Sequence, residues 1–417
     1  MIKKYVFLTP SIVFMGGAEV YINNKVKRLL NNGFIPYVFS YKQGEIVLDS
    51  LKQYKQCINN MLRLPPILYR RRDVIETIIQ LCDMVGVFDE LLIESTHFAL
   101  SEWGEIMASK TNSKHVIIDL QEQHSFPDDI LCFYLWKYNH FSLYGIAKNS
   151  INSIFGEKWD ISIREDSYIE ADCINVTSEG ESFRIDSCDY NIGCIGRLEK
   201  KYVLDGVKAV VRFAAAHKSE TVCLLIIGGS ADPDIKCEIE RIVKSSSNIS
   251  LNMTGYLYPI PQSLLHKMDC VFSSAGSALV SLQSGIPTIS MAVDGSPIGI
   301  LNYTTKSFIY KHNDNEENYP MEHYLEMILI DGFCSNNPTL GMEREFIDFE
   351  KEFFRQIAFF DKIDPGCHYD ILNKISYSNK KDFIYYLIGH LFGGKSLEKI
   401  QWAFFHFKQR IHHSLNQ

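Results

Sequence analysis

The stretch from Asn191 to Met291 decides the fold. It opens NIGCIGRLEKKYVLDGVKAVVRFA (191–214), passes through VCLLIIGG (222–229) and closes SSAGSALVSLQSGIPTISM (273–291). The apolar runs at 192–195 and 222–227 each stop at glycine. Val207, Val210, Val211 and Ala214 then recur at helical spacing after the first run, and 232–245 reads as a helix after the second. Further strands are predicted at 249–253, 270–272 and 288–291, with helices at 261–267 and 278–284. Short strands alternating with helices imply parallel βαβ units. Ligands of such sheets sit beyond the carboxyl ends of the strands, here the turns at Gly196, Gly228 and 273–277.

Working outward, the amino-terminal half shows the same alternation. Residues 5–9 read as a strand. Ala18, Ile22, Val26, Leu29 and Leu30 form one helical face, and 35–40 is a second strand. The turn between them, Met15-Gly16-Gly17-Ala18-Glu19, places two glycines at a helix start, where backbone N–H groups and the helix dipole favour an anion. It is not the dinucleotide fingerprint, which needs a third glycine, so an NAD-dependent oxidoreductase is disfavoured. Strands at 91–94, 115–119 and 141–147, with helices at 98–109 and 150–155, complete a second Rossmann-like sheet. Candidate polar groups at its strand ends are His97, Glu122 and His124. A polar, acidic break at 162–189 separates the halves. The expected domains are 1–185, 186–375 and a helical tail, 376–417.

Composition narrows the function classes. A chain of 417 residues exceeds one ordinary domain, and a net charge of −8 argues against a nucleic-acid partner. Eleven scattered cysteines without a CxxC pair suit free thiols in a reducing compartment. With no signal peptide or membrane-length apolar run in view, a cytoplasmic location is expected. No DxD motif is suited to a Mg²⁺–diphosphate site, and no histidine pair is clustered beyond His412-His413. The tail at 396–413 mixes Lys399, Lys408 and Arg410 with Trp402, Phe404, Phe405 and Phe407. That mixture would suit peripheral contact with the inner face of a membrane.

Gly196-Arg197-Leu198 with Lys200-Lys201 behind it, the IIGG strand end, the passage from Tyr256 to Asp269, and Gly285-Ile286-Pro287-Thr288-Ile289 occur in a family-like order. The set resembles the GT-B glycosyltransferases, specifically the retaining family 4 proteins of bacterial surface polysaccharide synthesis (capsule, lipopolysaccharide). The GGAE loop at 16–19 resembles that family's opening loop as well.

The resemblance implies an α/β GT-B fold, two Rossmann-like domains facing a central cleft, and the transfer of a sugar from a nucleotide-sugar donor (a UDP- or GDP-sugar) to a glycan or lipid-linked acceptor. No cofactor and no metal are implied. Gly16, Gly17, Arg197, Lys201, Gly276 and Ser277 would hold the donor diphosphate. Gly228, Ser274 and Asp294 would border the donor sugar and nucleotide, and His124 and Glu122 would be catalytic. The turn Asp294-Gly295-Ser296-Pro297-Ile298-Gly299 is expected as a loop at the cleft rim. The chain departs from the family where two glutamates eight residues apart are usual. Counting back from Gly285, Phe272 and Val280 stand there. Two alternatives stay open: a non-catalytic GT-B partner of another glycosyltransferase, and a GT-B UDP-sugar epimerase.

Overall fold

The structure is a computed structural model describing residues 1–13, 15–120, 128–146, 151, 154–155, 161–173, 176–178, 188–230, 232–307, 319–338, 347–374, 380–393 and 399. Glu122, His124 and most of the 396–413 tail lie outside these residues. The chain divides into two compact units. The first comprises Met1–Val13, Ile22–Glu170 and Asp348–Gln417, and the second Phe14–Tyr21 and Ala171–Ile347. Both are Rossmann-like, and the fold class is α/β of the GT-B type.

In the first unit β1 (Lys3–Leu8), β2 (Phe34–Phe39), β3 (Glu90–Ser95), β4 (Lys114–Asp119) and β5 (Leu143–Gly145) form an all-parallel sheet, in the order β2-β1-β3-β4-β5. Their runs are almost wholly apolar because a parallel sheet is covered on both faces. Tyr5, Val6, Phe7 and Leu8 are fully buried. The helices are α1 (Gly17–Asn31), α2 (Arg71–Val85), α3 (Phe98–Thr111) and α4 (Asp128–Asn139). Periodicity does not predict α4. Ile130, Leu131, Phe133, Tyr134 and Tyr138 are all buried, but Cys132, Leu135 and Trp136 on the less buried side leave no clear polar face.

The late helix α9 (Phe349–Ala358) is bound into this unit by a buried polar network rather than by apolar packing alone. Lys25 Nζ on α1 lies 2.5 Å from Glu94 Oε2 on β3 and 2.8 Å from Gln356 Oε1 on α9. The Tyr5 hydroxyl also donates to Glu94, and Gln356 Nε2 donates to Glu352 Oε1 at 2.9 Å. Just beyond α9, Phe359 stacks on Tyr144 with ring centroids 3.6 Å apart. Lys25 and Glu94 are 4% and 0% exposed, which leaves each charge dependent on the other. Burial lowers the Lys25 pKa, against the opposing pull of Glu94.

The second unit carries a six-stranded sheet: β6 (Tyr190–Ile195), β7 (Val222–Ile227), β8 (Ile249–Gly255), β9 (Cys270–Ser273), β10 (Thr288–Met291) and β11 (Pro297–Ile300), ordered β11-β10-β9-β6-β7-β8. All neighbours pair parallel except β10 and β11. Around it lie α5 (Lys201–Ala216), α6 (Pro233–Val243), α7 (Ala275–Gln283) and α8 (Met321–Leu329). Val207, Val210, Phe213, Leu224, Phe272 and Leu325 belong to its core.

The sequence expectation of a loop through 294–299 is corrected here. Asp294, Gly295 and Ser296 form the turn of a hairpin, and Pro297 to Gly299 lie in β11. Proline opens this strand because the strand is at the sheet edge, where a missing N–H costs no ladder bond. Likewise the helix expected at 261–267 is a single turn, Gln262–Leu265. Among the described residues no helix is long and apolar enough to cross a membrane.

The Lys25–Glu94 pair yields a stability prediction. Lys25→Met should cost about 3–5 kcal/mol, because it strands a buried carboxylate, whereas adding Glu94→Leu should recover most of that loss. Urea unfolding of the two variants and the wild type measures both steps.

Candidate functional site

In the second unit β6 is central. The chain passes from β6 through α5 to β7 and β8 on one side, then returns to the other side as β9. That reversal defines a topological switch point between β6 and β9, where open α/β sheets bind ligands. The loops at this point follow Ile195 and Ser273.

Both loops are anchored at the same atom. The Ile195 carbonyl accepts from the Tyr202 hydroxyl at 3.0 Å and from Ser273 Oγ at 2.6 Å, tying α5 and β9 to the end of β6. The next turn lies flat on its neighbour. Gly196 N donates to Ile227 O at 3.0 Å, and Leu198 N to Gly229 O at 3.1 Å. A methyl group on Gly228 would sit 1.9 Å from the Gly196 carbonyl oxygen, a separation no side chain survives. Gly228 is therefore a packing requirement of the loop pair.

Arg197 leaves this turn half-exposed. Its Nη1 is 3.4 Å from Glu199 Oε1, a loose ion pair. Residues 14–21 pack with the second unit, and Gly16 borders the arginine. The site of a methyl group on Gly16 lies 3.8 Å from Arg197 Nε and 2.9 Å from Glu19 Oε2. The guanidinium thus shares its surroundings with two carboxylates. Gly17, the first residue of α1, and Gly276, the second residue of α7, are joined through Cys173. Its thiol donates to the Gly17 carbonyl at 3.3 Å, and its Cβ lies 3.1 Å from where a Gly276 methyl would stand.

Ser274 occupies the N-cap position of α7, yet its side chain makes no capping bond. Ala275 follows with φ +53°, a left-handed conformation that alanine adopts at a cost. The first N–H groups of α7, including those near Gly276 and Ser277, thus lack a side-chain cap.

Lys201 belongs to a different neighbourhood. It is the first residue of α5, its ammonium is held by Asp205, and the side chain is 64% exposed. Across from it, the site of a Gly295 methyl lies 3.0 Å from Lys201 Nζ. Asp294 Oδ1 accepts from Ser296 N at 3.0 Å and from Ser296 Oγ at 2.6 Å. Lys201, Asp205, Asp294 and Ser296 line an open pocket of about 460 Å³, bordered by Arg212 and Glu322. The structure therefore brings Gly16 to Arg197 and Gly17 to Gly276, and separately brings Lys201 to Asp294.

Sequence spacing did not single out Glu199, Cys173 or Tyr256. Tyr256 follows Gly255 at the end of β8, and burial first, then Glu199, raise its pKa, with Glu19 also contributing. The places that hold glutamates in the resembling family are interior: Phe272 and Val280 are 0% and 2% exposed. In the first unit His97 is the N-cap residue of α3, at the switch point between β1 and β3. Burial first, and then Lys42, lower its pKa to about 4, so the imidazole is neutral near pH 7. Among the described residues no group of three or more His, Cys, Asp or Glu is placed to hold a metal ion.

No family model matches the chain, and no curated protein does. Solved structures do match it. HepE of Anabaena, crystallised in complex with UDP and glucose, aligns over 87% of this chain and 96% of its own at 14% identity, with a TM-score of 0.50. TarM, an S. aureus protein, aligns over 87% of this chain and 99% of its own at 10% identity, with a TM-score of 0.51. Likeness at these identities establishes the fold alone.

The Gly196–Gly228 contact makes a local prediction. Gly228→Ala should lower stability by more than about 2 kcal/mol, since backbone must move to admit the methyl group. Gly33→Ala, where nothing lies within 4 Å, is the control; it should cost only the about 1–2 kcal/mol of a left-handed alanine at φ +78° in thermal melts.

Proposed function

We propose that the protein is a glycosyltransferase moving a sugar from a nucleotide-sugar donor, a UDP- or GDP-sugar, to a glycan or lipid-linked acceptor. The observation that carries this reading is Arg197 at the switch point of a GT-B second unit, beside Gly16 and an uncapped helix start. The HepE structure, which shares the fold, holds UDP and glucose.

Chemically, the bond between the anomeric carbon and the diphosphate oxygen breaks while an acceptor hydroxyl oxygen bonds to that carbon. The leaving diphosphate gains negative charge and takes the hydroxyl proton. Arg197 supplies paired N–H donors to that charge, and the N–H groups near Gly16, Gly17, Gly276 and Ser277 supply dipoles. Lys201 would join them after exchanging Asp205 for phosphate. Gly228, Ser274 and Asp294 border the donor in this reading. Glu122 and His124, which lie outside the described residues, are the proposed catalytic groups. Metal-independent transfer with retention, a cytoplasmic location at the inner face of the membrane and a role in surface polysaccharide synthesis complete the proposal.

One observation favours a second reading. Phe272 and Val280 are core residues, so this chain lacks the glutamate pair at those places, as a non-catalytic GT-B partner protein could.

A thermal-shift series with UDP, GDP, ADP and CMP and their sugar nucleotides separates the two. A native-state ligand raises the melting temperature with concentration. The transferase reading expects a rise with one nucleotide class. Arg197→Ala should weaken that ligand about 10- to 100-fold, as loss of a charged hydrogen-bond donor does. A folded wild type that responds to none of these ligands supports the partner reading instead.

A further inference from the structure

Helix α10 (Lys380–Phe392) packs on the first unit beside the turn Pro66–Leu68, with Gly389 buried. On the side away from Gly389, Ile384, Leu387 and Leu391 fall on one helix face, and they are 55%, 39% and 64% exposed. The outer face of a surface helix is normally polar, so an apolar stripe there marks a face made to be covered.

The end of α10 fixes where the chain goes next. Arg70 Nε donates to His390 O at 2.6 Å, and Arg70 Nη2 donates to Leu391 O. Gly393 N donates to Gly389 O at 3.0 Å, and Gly393 then turns the chain at φ +82°. Beyond this turn the sequence carries a second stripe. Leu397, Ile400, Phe404, Phe407 and Ile411 recur at alternating spacings of three and four, as one face of a helix does. Lys399 is the one described residue of 397–411, and it is helical and exposed.

We infer that residues 397–411 are the partner of the bare face of α10, closing an antiparallel helical hairpin. The link Gly393–Ser396 has the length that joins antiparallel helices. The two stripes also match in register. Leu391 meets Leu397, Leu387 meets Ile400 and Ile384 meets Phe404, every pair centred on Gly394 or on the Gly393-Gly394 step. A segment tethered this closely outcompetes a second copy of the chain or a lipid surface for the same face. The pairing divides the tail's aromatic residues. Phe404 and Phe407 are spent on the protein, whereas Lys399, Trp402, His406 and Arg410 recur on the opposite side and face outward.

Hydrogen exchange of the full chain, read by mass spectrometry at two protein concentrations with and without phosphatidylglycerol vesicles, tests the pairing. Wild type should protect 397–411 at both concentrations without lipid. Leu387→Asp, a change in the other helix, should cut that protection about 10-fold or more. Tail amides that exchange like an unfolded chain would overturn the inference. Protection that falls on dilution would assign the face to a second copy, and protection that needs vesicles would assign the tail stripe to lipid; either overturns it. If Leu387→Asp loosens α10 itself, cross-linking decides. A short bis-maleimide should join Leu387→Cys to Ile400→Cys within one chain, located by peptide mapping, and should not join Leu387→Cys to Trp402→Cys. Both pairs joined alike, or neither, would overturn the pairing.

Discussion

The approach of the Gly196 carbonyl to the α-carbon of Gly228 is the constraint on which the second unit's functional edge depends. With no side chain between them, the turns after β6 and β7 lie against each other and exchange backbone hydrogen bonds. The hydroxyls of Tyr202 and Ser273 then fix the carbonyl just before this contact, which sets the exit of β9 and the start of α7. Arg197 is the side chain that this arrangement projects, and Tyr256 is the ring that the equally bare Gly229 admits. Small residues here let the two turns pack into a rigid frame.

Charge at this edge is balanced. Arg197 has Glu199 as a partner and Glu19 beside Gly16, and Lys201 is held by Asp205. An anionic ligand must therefore exchange with carboxylates already present. In the proposed transferase reading, such exchange would let a nucleotide product leave after each cycle, where a bare cluster of cations would retain it. The first unit uses charge in another way. Its Lys25–Glu94–Gln356 network is shut away from water and ties α9 to the amino-terminal sheet.

Much of the fold was legible because parallel strands covered on both faces leave long apolar runs. The runs at 222–227 and 288–291 were read at their observed bounds. Helix α4 escaped because its less buried side carries Cys132, Leu135 and Trp136 while Lys137 is buried, which blurs the apolar period. The 294–299 hairpin escaped because an edge strand beginning with proline has the composition of a loop. Glycine-terminated strands marked the switch-point turns, yet spacing could not separate Arg197 from Lys201. Separated by only Leu198, Glu199 and Lys200, they diverge because Lys201 starts α5 and turns to Asp205 and Gly295. Tyr256 was read only as the start of a family-like passage, since the folding of the chain, and not spacing, lays its ring on Gly229.

The central claim is that the loops around Arg197 form a diphosphate site. Crystals of the protein grown with UDP or GDP, whichever it binds, test it most directly. The account predicts phosphate density within hydrogen-bonding distance of the Arg197 guanidinium. Phosphates found instead in the Lys201–Asp294 pocket, with Arg197 still on Glu199, would contradict it.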